Sequence, residues 1–200
     1  MFKTKEALIP YLLLVAAMAG GLIWHESETV PGLGRTVTTG QVAVGGPFAL
    51  TDQNGQKRAS ASFKGKYQLI YFGYTFCPDV CPTTLAVMSQ ALDKMGMDGA
   101  RIVPIFITID PERDTPKVLK SYMDAFGPSF VGLTGSQSEI AAVEKEYRVY
   151  AKKQPQGGKA NYGIDHSSVI YLMGPDGRLV TFYDELVSPD ALAKDLKAKI

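Results

Sequence analysis

The sequence predicts an α/β fold organised on a central, partly parallel sheet, and three observations carry that reading. Tyr67-Gln68-Leu69-Ile70-Tyr71-Phe72 and Ile102-Val103-Pro104-Ile105-Phe106-Ile107-Thr108-Ile109 are apolar, β-rich runs that fit strands buried on both faces. Between them Leu85, Met88, Leu92 and Met95 recur at helical spacing, so the two strands are joined through a helix and lie parallel. Near the C-terminus, Val169 to Met173 and Arg178 to Tyr183 flank the turn Gly174-Pro175-Asp176-Gly177, which makes an antiparallel hairpin.

The elements follow in order. Phe48-Ala49-Leu50-Thr51, the turn Asp52-Gln53-Asn54-Gly55 and Gln56 to Ala59 read as an N-terminal β-hairpin. The strand at residues 67–72 ends at Gly73, and a helix follows to about Met97, with Pro82 suited to its first turn. Pro104 cannot donate to a sheet, so it belongs near the start of the second strand or at an irregular position. Asp114-Thr115-Pro116 opens a helix with an apolar face of Val118, Leu119, Tyr122, Met123 and Phe126, closed by Gly127-Pro128.

Phe130 to Leu133 is a short strand, and Ser136-Gln137-Ser138-Glu139 is a capping box for a helix carrying Ile140, Val143 and Tyr147. Lys152 to Gly163 is almost without apolar residues and reads as an exposed loop. Ser188-Pro189-Asp190 caps a terminal helix with Leu192, Leu196 and Ile200 on one face. A β-hairpin, then β-α-β-α-β-α, then a second hairpin and a helix is a thioredoxin-like arrangement, with helices on both faces of the sheet.

The only two cysteines lie in Gly73-Tyr74-Thr75-Phe76-Cys77-Pro78-Asp79-Val80-Cys81-Pro82, on the loop from the first long strand into its helix. A spacing of i, i+4 at a helix start sets two side chains on one face, near enough to share a metal ion or form a disulfide. Loop N–H groups and the helix dipole favour the thiolate there. A purely structural disulfide would close only a tiny loop and stabilise less than the roughly 3 kcal/mol of a 15-residue loop, so a functional pair is the better reading.

The N-terminus speaks to compartment. After Lys3 and Lys5, residues Ala7 to Trp24 carry no charge, close to the length of a bilayer-spanning helix. The lysines belong on the cytoplasmic side and Trp24 at the far interface, which puts the rest of the chain outside the cytoplasm. Ala17-Met18-Ala19 resembles a signal-peptide cleavage site, but the apolar run continues through Leu22, Ile23 and Trp24, which favours a single uncleaved transmembrane helix. The expected organisation is therefore an anchor over residues 1–24, a Gly/Thr/Val-rich tether over 25–46 and a globular domain over 47–200. With 21 basic against 20 acidic residues, nothing in the charge points to nucleic acid as a partner.

His25 adjoins the anchor, so one histidine remains in the domain, His166, in Ile164-Asp165-His166-Ser167-Ser168. It precedes the strand Val169 to Met173, which in a thioredoxin-like sheet runs beside the strand that delivers the cysteines. Two thiolates and one imidazole then converge. Soft thiolates select Cu(I), zinc or iron–sulfur chemistry, and a structural zinc site usually has four protein ligands where this domain offers three.

Tyr74-Thr75-Phe76-Cys77-Pro78-Asp79-Val80-Cys81-Pro82, Asp110-Pro111-Glu112-Arg113-Asp114-Thr115-Pro116 and Asp165-His166-Ser167-Ser168 resemble the three motifs of the Sco/SenC family, in the same order and with no departure. The resemblance implies a membrane-tethered, thioredoxin-like protein that binds copper, as Cu(I) or Cu(II), through Cys77, Cys81 and His166. It implies delivery of copper to the dinuclear copper site of cytochrome c oxidase during assembly, with that site's subunit as partner. Another periplasmic copper chaperone or a thiol reductase is a further partner of the same kind. The domain would face the periplasm from a bacterial inner membrane, or the intermembrane space from a mitochondrial one.

Reduction of the oxidase's thiols and redox sensing stay open beside delivery. The competing class is an extracytoplasmic thiol:disulfide oxidoreductase using Cys77 and Cys81 as its redox pair, an enzyme where the chaperone is a carrier. The usual redox site has Cys-x-x-Cys facing a cis-proline; here the spacing is one residue longer and no proline precedes Val169. Asp110 and Asp114 read mainly as helix and turn caps, with support of the metal ligands from behind or docking of a partner as the lesser alternative, Asp79 as solvated, and the aromatics at 71, 72, 74 and 76 as packing, with Tyr74 or Phe76 placed to shield a metal.

Overall fold

The computed structural model describes residues 44–154 and 162–200. The expected anchor, residues 1–24, and nearly all of the tether, 25–46, lie outside the described residues. No helix among the described residues is long and apolar enough to cross a membrane.

The chain runs β1 (Ala49–Asp52), β2 (Lys57–Ala59), a 3-10 turn (Ser60–Phe63), β3 (Tyr67–Gly73), α1 (Val80–Met95), a second 3-10 turn (Gly96–Arg101) and β4 (Ile102–Thr108). It continues through α2 (Pro116–Met123), β5 (Val131–Thr134), α3 (Gln137–Tyr147), β6 (Ala151–Gln154), β7 (Gly163–His166), β8 (Val169–Met173), β9 (Leu179–Asp184) and α4 (Pro189–Lys199). Among the described residues, β1–β5, β8 and β9 form one seven-stranded sheet of order β2-β1-β5-β4-β3-β8-β9. β3, β4 and β5 are parallel, and β8 runs antiparallel to β3 with Tyr71 opposite Ile170.

This register explains the apolar runs. β3 and β4 are central, and Leu69, Ile70, Tyr71, Phe72, Ile105, Phe106 and Ile107 are all fully buried. Each step from β3 to β4 to β5 goes the same way across the sheet, so right-handed crossovers place α1 and α2 on one face. Ser89 of α1 donates to the Phe126 carbonyl just beyond α2 at 2.8 Å, and Leu119 and Met123 of α2 pack on Gly132 of β5. α3 takes the opposite face, where its Tyr147 meets Phe72 and Tyr171 at ring-centroid distances of 5.3 and 5.8 Å.

The predicted caps form. Ser136 Oγ accepts from Glu139 N (3.2 Å) and Glu139 Oε2 accepts from Ser136 N (2.7 Å), while Ser188 Oγ accepts from Ala191 N (3.3 Å). Pro104 falls in the first half of β4, before β5 begins to pair at Ile105. The hairpin β1–β2 is fastened by Asp52, which is buried and accepts from Asn54 N, Gln56 N and Arg58 Nε.

One expectation is corrected. Lys152 to Gly163 is not simply an exposed loop. Lys152–Gln154 belongs to β6, which pairs antiparallel with β7, so Ala151 stands opposite His166 and Gln154 opposite Gly163. Tyr162 is buried rather than exposed. The polar composition misleads because this two-stranded ribbon stands outside the main sheet and buries little of its own surface.

Candidate metal centre

The site forms where β3 ends. Gly73 closes the strand because no side chain fits there: a Cβ would lie 2.8 Å from Cys81 Sγ and 3.0 Å from both Phe106 and Tyr71. Beyond it the chain turns, with Cys77 N donating to the Tyr74 carbonyl at 3.2 Å, and α1 begins at Val80. Cys81 therefore sits in the first helical turn, completely buried, while Cys77 lies in the loop and is half-buried. The shared helical face inferred from the spacing is thus replaced by loop curvature, which brings the two sulfurs together all the same.

His166 ends β7, three residues before the start of β8, which pairs alongside β3 from Ile170. Its Nε2 stands 3.5 Å from Cys81 Sγ, and one donor atom each from Cys77, Cys81 and His166 fall within 4.8 Å of one another. Nδ1 lies 3.1 Å from the Ser167 carbonyl, where it can only donate, so Nε2 is the nitrogen left facing the sulfurs. The rings of Tyr74 and Tyr71 stand edge-on to the imidazole at 5.9 and 6.3 Å. Tyr71 also sends its hydroxyl toward Cys81 Sγ at 3.8 Å.

The two thiols are inequivalent. The hydrogen bond from Cys81 draws Cys77 from the thiol's ordinary 9.0 down to about 5, helped against burial by the backbone N–H groups of Cys81 and Asp79 and by the nearby imidazole. The same hydrogen bond, with burial, pushes Cys81 far up. At neutral pH the pair holds one proton, on the inner sulfur.

Alkylation of the reduced protein should reflect this. Iodoacetamide is expected to modify Cys77 with a pH midpoint near 5, while Cys81 stays unmodified through neutral pH. Peptide mapping that finds both thiols reacting together near 9 would contradict the shared proton. The linkage has a sign as well: a thiol that holds its proton less tightly folded than unfolded loses its stabilising contribution as pH falls from about 9 toward 5. Cys81, which keeps its proton in the folded state, acts with the opposite sign: its contribution is present below the unfolded thiol's ordinary 9.0 and is lost as pH rises past it.

Asp110 and Asp114 are not helix caps. The cap of α2 is Thr115, whose Oγ1 accepts from Val118 N at 3.4 Å. Both aspartates are fully buried. Asp114 Oδ1 accepts from Thr75 Oγ1 (2.6 Å), and its Oδ2 accepts from Thr75 N (3.0 Å) and Thr108 Oγ1 (2.6 Å), so it grips the cysteine loop from below. Burial raises its pKa despite those donors. Asp110 pairs with Arg113 and accepts from the Tyr162 hydroxyl at 2.7 Å.

Thr75 and Arg113 stand within the three motifs with nothing to mark their role, Thr108 and Tyr162 stand outside them, and Tyr162 is the sole aromatic of the polar stretch 152–163. Asp79 is exposed, as expected. Tyr71, Phe72 and Tyr74 are buried, whereas Phe76 is 57% exposed and lies 4.8 Å from the Arg113 guanidinium, stacked with its face to the cation.

Known proteins resemble this chain in sequence and fold. The SCO1/SenC family model matches residues 36–200. A SCO2-like protein of Rickettsia felis is 43% identical over 157 residues, covering 78% of this chain and 77% of that one. The structure of Bradyrhizobium japonicum ScoI with copper bound aligns at a TM-score of 0.74 and 50% identity, over 79% of this chain and all of the other. BsSco, described with a disulfide switch as a member of the Sco family of cytochrome c oxidase assembly proteins, aligns at 0.63 and 29% identity, over 79% and 94% of the two chains. A family match through the whole described domain, on a fold that brings Cys77, Cys81 and His166 together, leads to one conclusion: the chain belongs to the SCO1/SenC family.

Proposed function

We propose that this chain carries copper, held by Cys77, Cys81 and His166, and that it delivers the metal to, or prepares the thiols of, the dinuclear copper site of cytochrome c oxidase during assembly. The observation that supports the reading is the donor set itself, two sulfurs and an imidazole nitrogen within 4.8 Å. Donors about 2.0–2.3 Å from one ion stand roughly 3.5–4 Å apart in a trigonal arrangement, so closure needs only a small contraction. Cys77 is already a thiolate at neutral pH, and the chain holds no further cysteine to complete a four-ligand zinc site. Copper chemistry, soft-ligand binding and exchange with a partner's thiols, suits three donors of this kind.

In this reading residues 1–24 are a single transmembrane anchor and 25–46 a tether, and the domain from 47 to 200 works on the outer face of a bacterial inner membrane or in a mitochondrial intermembrane space. Relatives named as mitochondrial proteins support the location, and a copper-bound neighbour supports the metal. Thiol:disulfide exchange is the second reading, favoured by the asymmetry of an accessible Cys77 thiolate beside a buried Cys81 thiol.

One titration separates the two. The full chain in detergent, reduced and held under argon, should take up one Cu(I) per chain, and one Cu(II) with sulfur-to-copper charge-transfer absorption. Absence of stable copper, together with a Cys77–Cys81 disulfide that cycles readily with a dithiol, would transfer the assignment to the oxidoreductase.

A further inference from the structure

The three donors arrive on two separate pieces of structure. Cys77 and Cys81 lie on the loop from β3 and the first turn of α1, whereas His166 ends a two-stranded ribbon, β6–β7, whose strands among the described residues pair only with each other. An isolated pair of strands is marginal by itself, so the ribbon's seat against the domain decides how near His166 comes to the sulfurs.

That seat is built around Tyr162, the residue immediately before β7. Its hydroxyl donates to Asp110 Oδ1 at 2.7 Å, its carbonyl accepts from Arg113 Nη1 at 3.0 Å, and its ring lies 3.7 Å beneath the Arg113 guanidinium carbon. Arg113 is in turn ion-paired to Asp110 through Nε. Two residues on, Ile164 is buried and its N–H donates to the Tyr74 hydroxyl at 3.3 Å. The turn from Asp110 to Asp114 therefore holds both halves of the site: Asp114 grips Thr75 of the cysteine loop, and Asp110 with Arg113 grips the root of the histidine strand.

We infer that Tyr162, clasped by Asp110 and Arg113, is a positioning residue that latches His166 onto the cysteine pair, so that donation by the histidine is controlled separately from donation by the two thiols. The inference rests on the copper-carrier reading for what His166 does when seated; the latch itself is a property of the metal-free chain.

The test is hydrogen–deuterium exchange on the reduced, metal-free full chain in detergent, comparing wild type with Tyr162→Phe, which removes one hydroxyl, and with Arg113→Lys, which keeps charge and loses the fork. Peptides covering Tyr162–Ser167 are expected to exchange at least tenfold faster in both variants, with β3 and α1 unchanged. Beside this, the variants should keep one Cu(I) per chain and lose at least half of the Cu(II) charge-transfer intensity that depends on the imidazole.

Unchanged exchange in those peptides, or faster exchange spread evenly over β3 and α1, would overturn the latch. So would full charge-transfer intensity in both variants. If the wild type takes up no copper, the carrier reading fails, and the exchange comparison still decides the latch.

Discussion

His166→Ala is expected to weaken Cu(II) binding by more than about a hundredfold, since losing even an outer partner of a metal-bound histidine costs 10–100-fold. In the proposed centre the imidazole would supply the nitrogen donor; it is aimed by the Nδ1 bond to the Ser167 carbonyl and stands 3.5 Å from Cys81 Sγ. Cu(II) relies on it more than Cu(I), for which two thiolates already offer the softer ligands. Cys77 should remain a reactive thiolate, because the Cys81 hydrogen bond leads the causes that lower its pKa and the imidazole is the last of them. Competition titration against a Cu(II) chelator, with alkylation kinetics alongside, checks both halves. Intact Cu(II) affinity with dithiol turnover abolished would overturn the carrier reading.

Asp114→Ala should cost about 3 kcal/mol of stability, because buried groups left without a partner lose ~1–3 kcal/mol each and three donors converge on this carboxylate. Relief of the carboxylate's own burial and rotation of the two hydroxyls keep the sum toward the low end. In a domain of this size that is a fall in Tm of roughly 6–12 °C. Asp114→Asn retains a carbonyl oxygen for Thr75 N and should lose less than half as much. Thermal melts of the reduced protein read the result directly, and a change below about 2 °C in the alanine variant would mean that the carboxylate does not hold the loop.

What the sequence shows of this site follows from how far apart the partners are. The cysteine pair is local, so its place after β3 and beside a helix start is legible. The approach of His166 is legible through topology, since β8 beside β3 is what a thioredoxin-like sheet requires. The roles of Asp110 and Asp114 are not, because a carboxylate near a helix start is ordinarily a cap, and their true partners, Tyr162 and Thr75, lie 52 and 39 positions away. The ribbon escapes for a different reason: Lys152, Lys153 and Gln154 lack the apolar alternation that marks a strand, and the strand exists only because Gly163–His166 pairs with it.

The insertion of β8 beside β3 has a further consequence, for the order in which the centre comes into being. Cys81 and His166 are 85 positions apart. Bringing such distant points together costs a loose chain roughly 4 kcal/mol of closure entropy on a (3/2)RT ln n scale. An unfolded chain therefore carries the proposed cysteine pair without its histidine, and Cu(II) held by all three in the finished topology would shift the balance toward the native state by mass action. Cu(II) uptake that draws on the imidazole of the proposed centre is thus also a report of completed folding. A chain ending at residue 168 would keep every donor and lack the strand that brings them together.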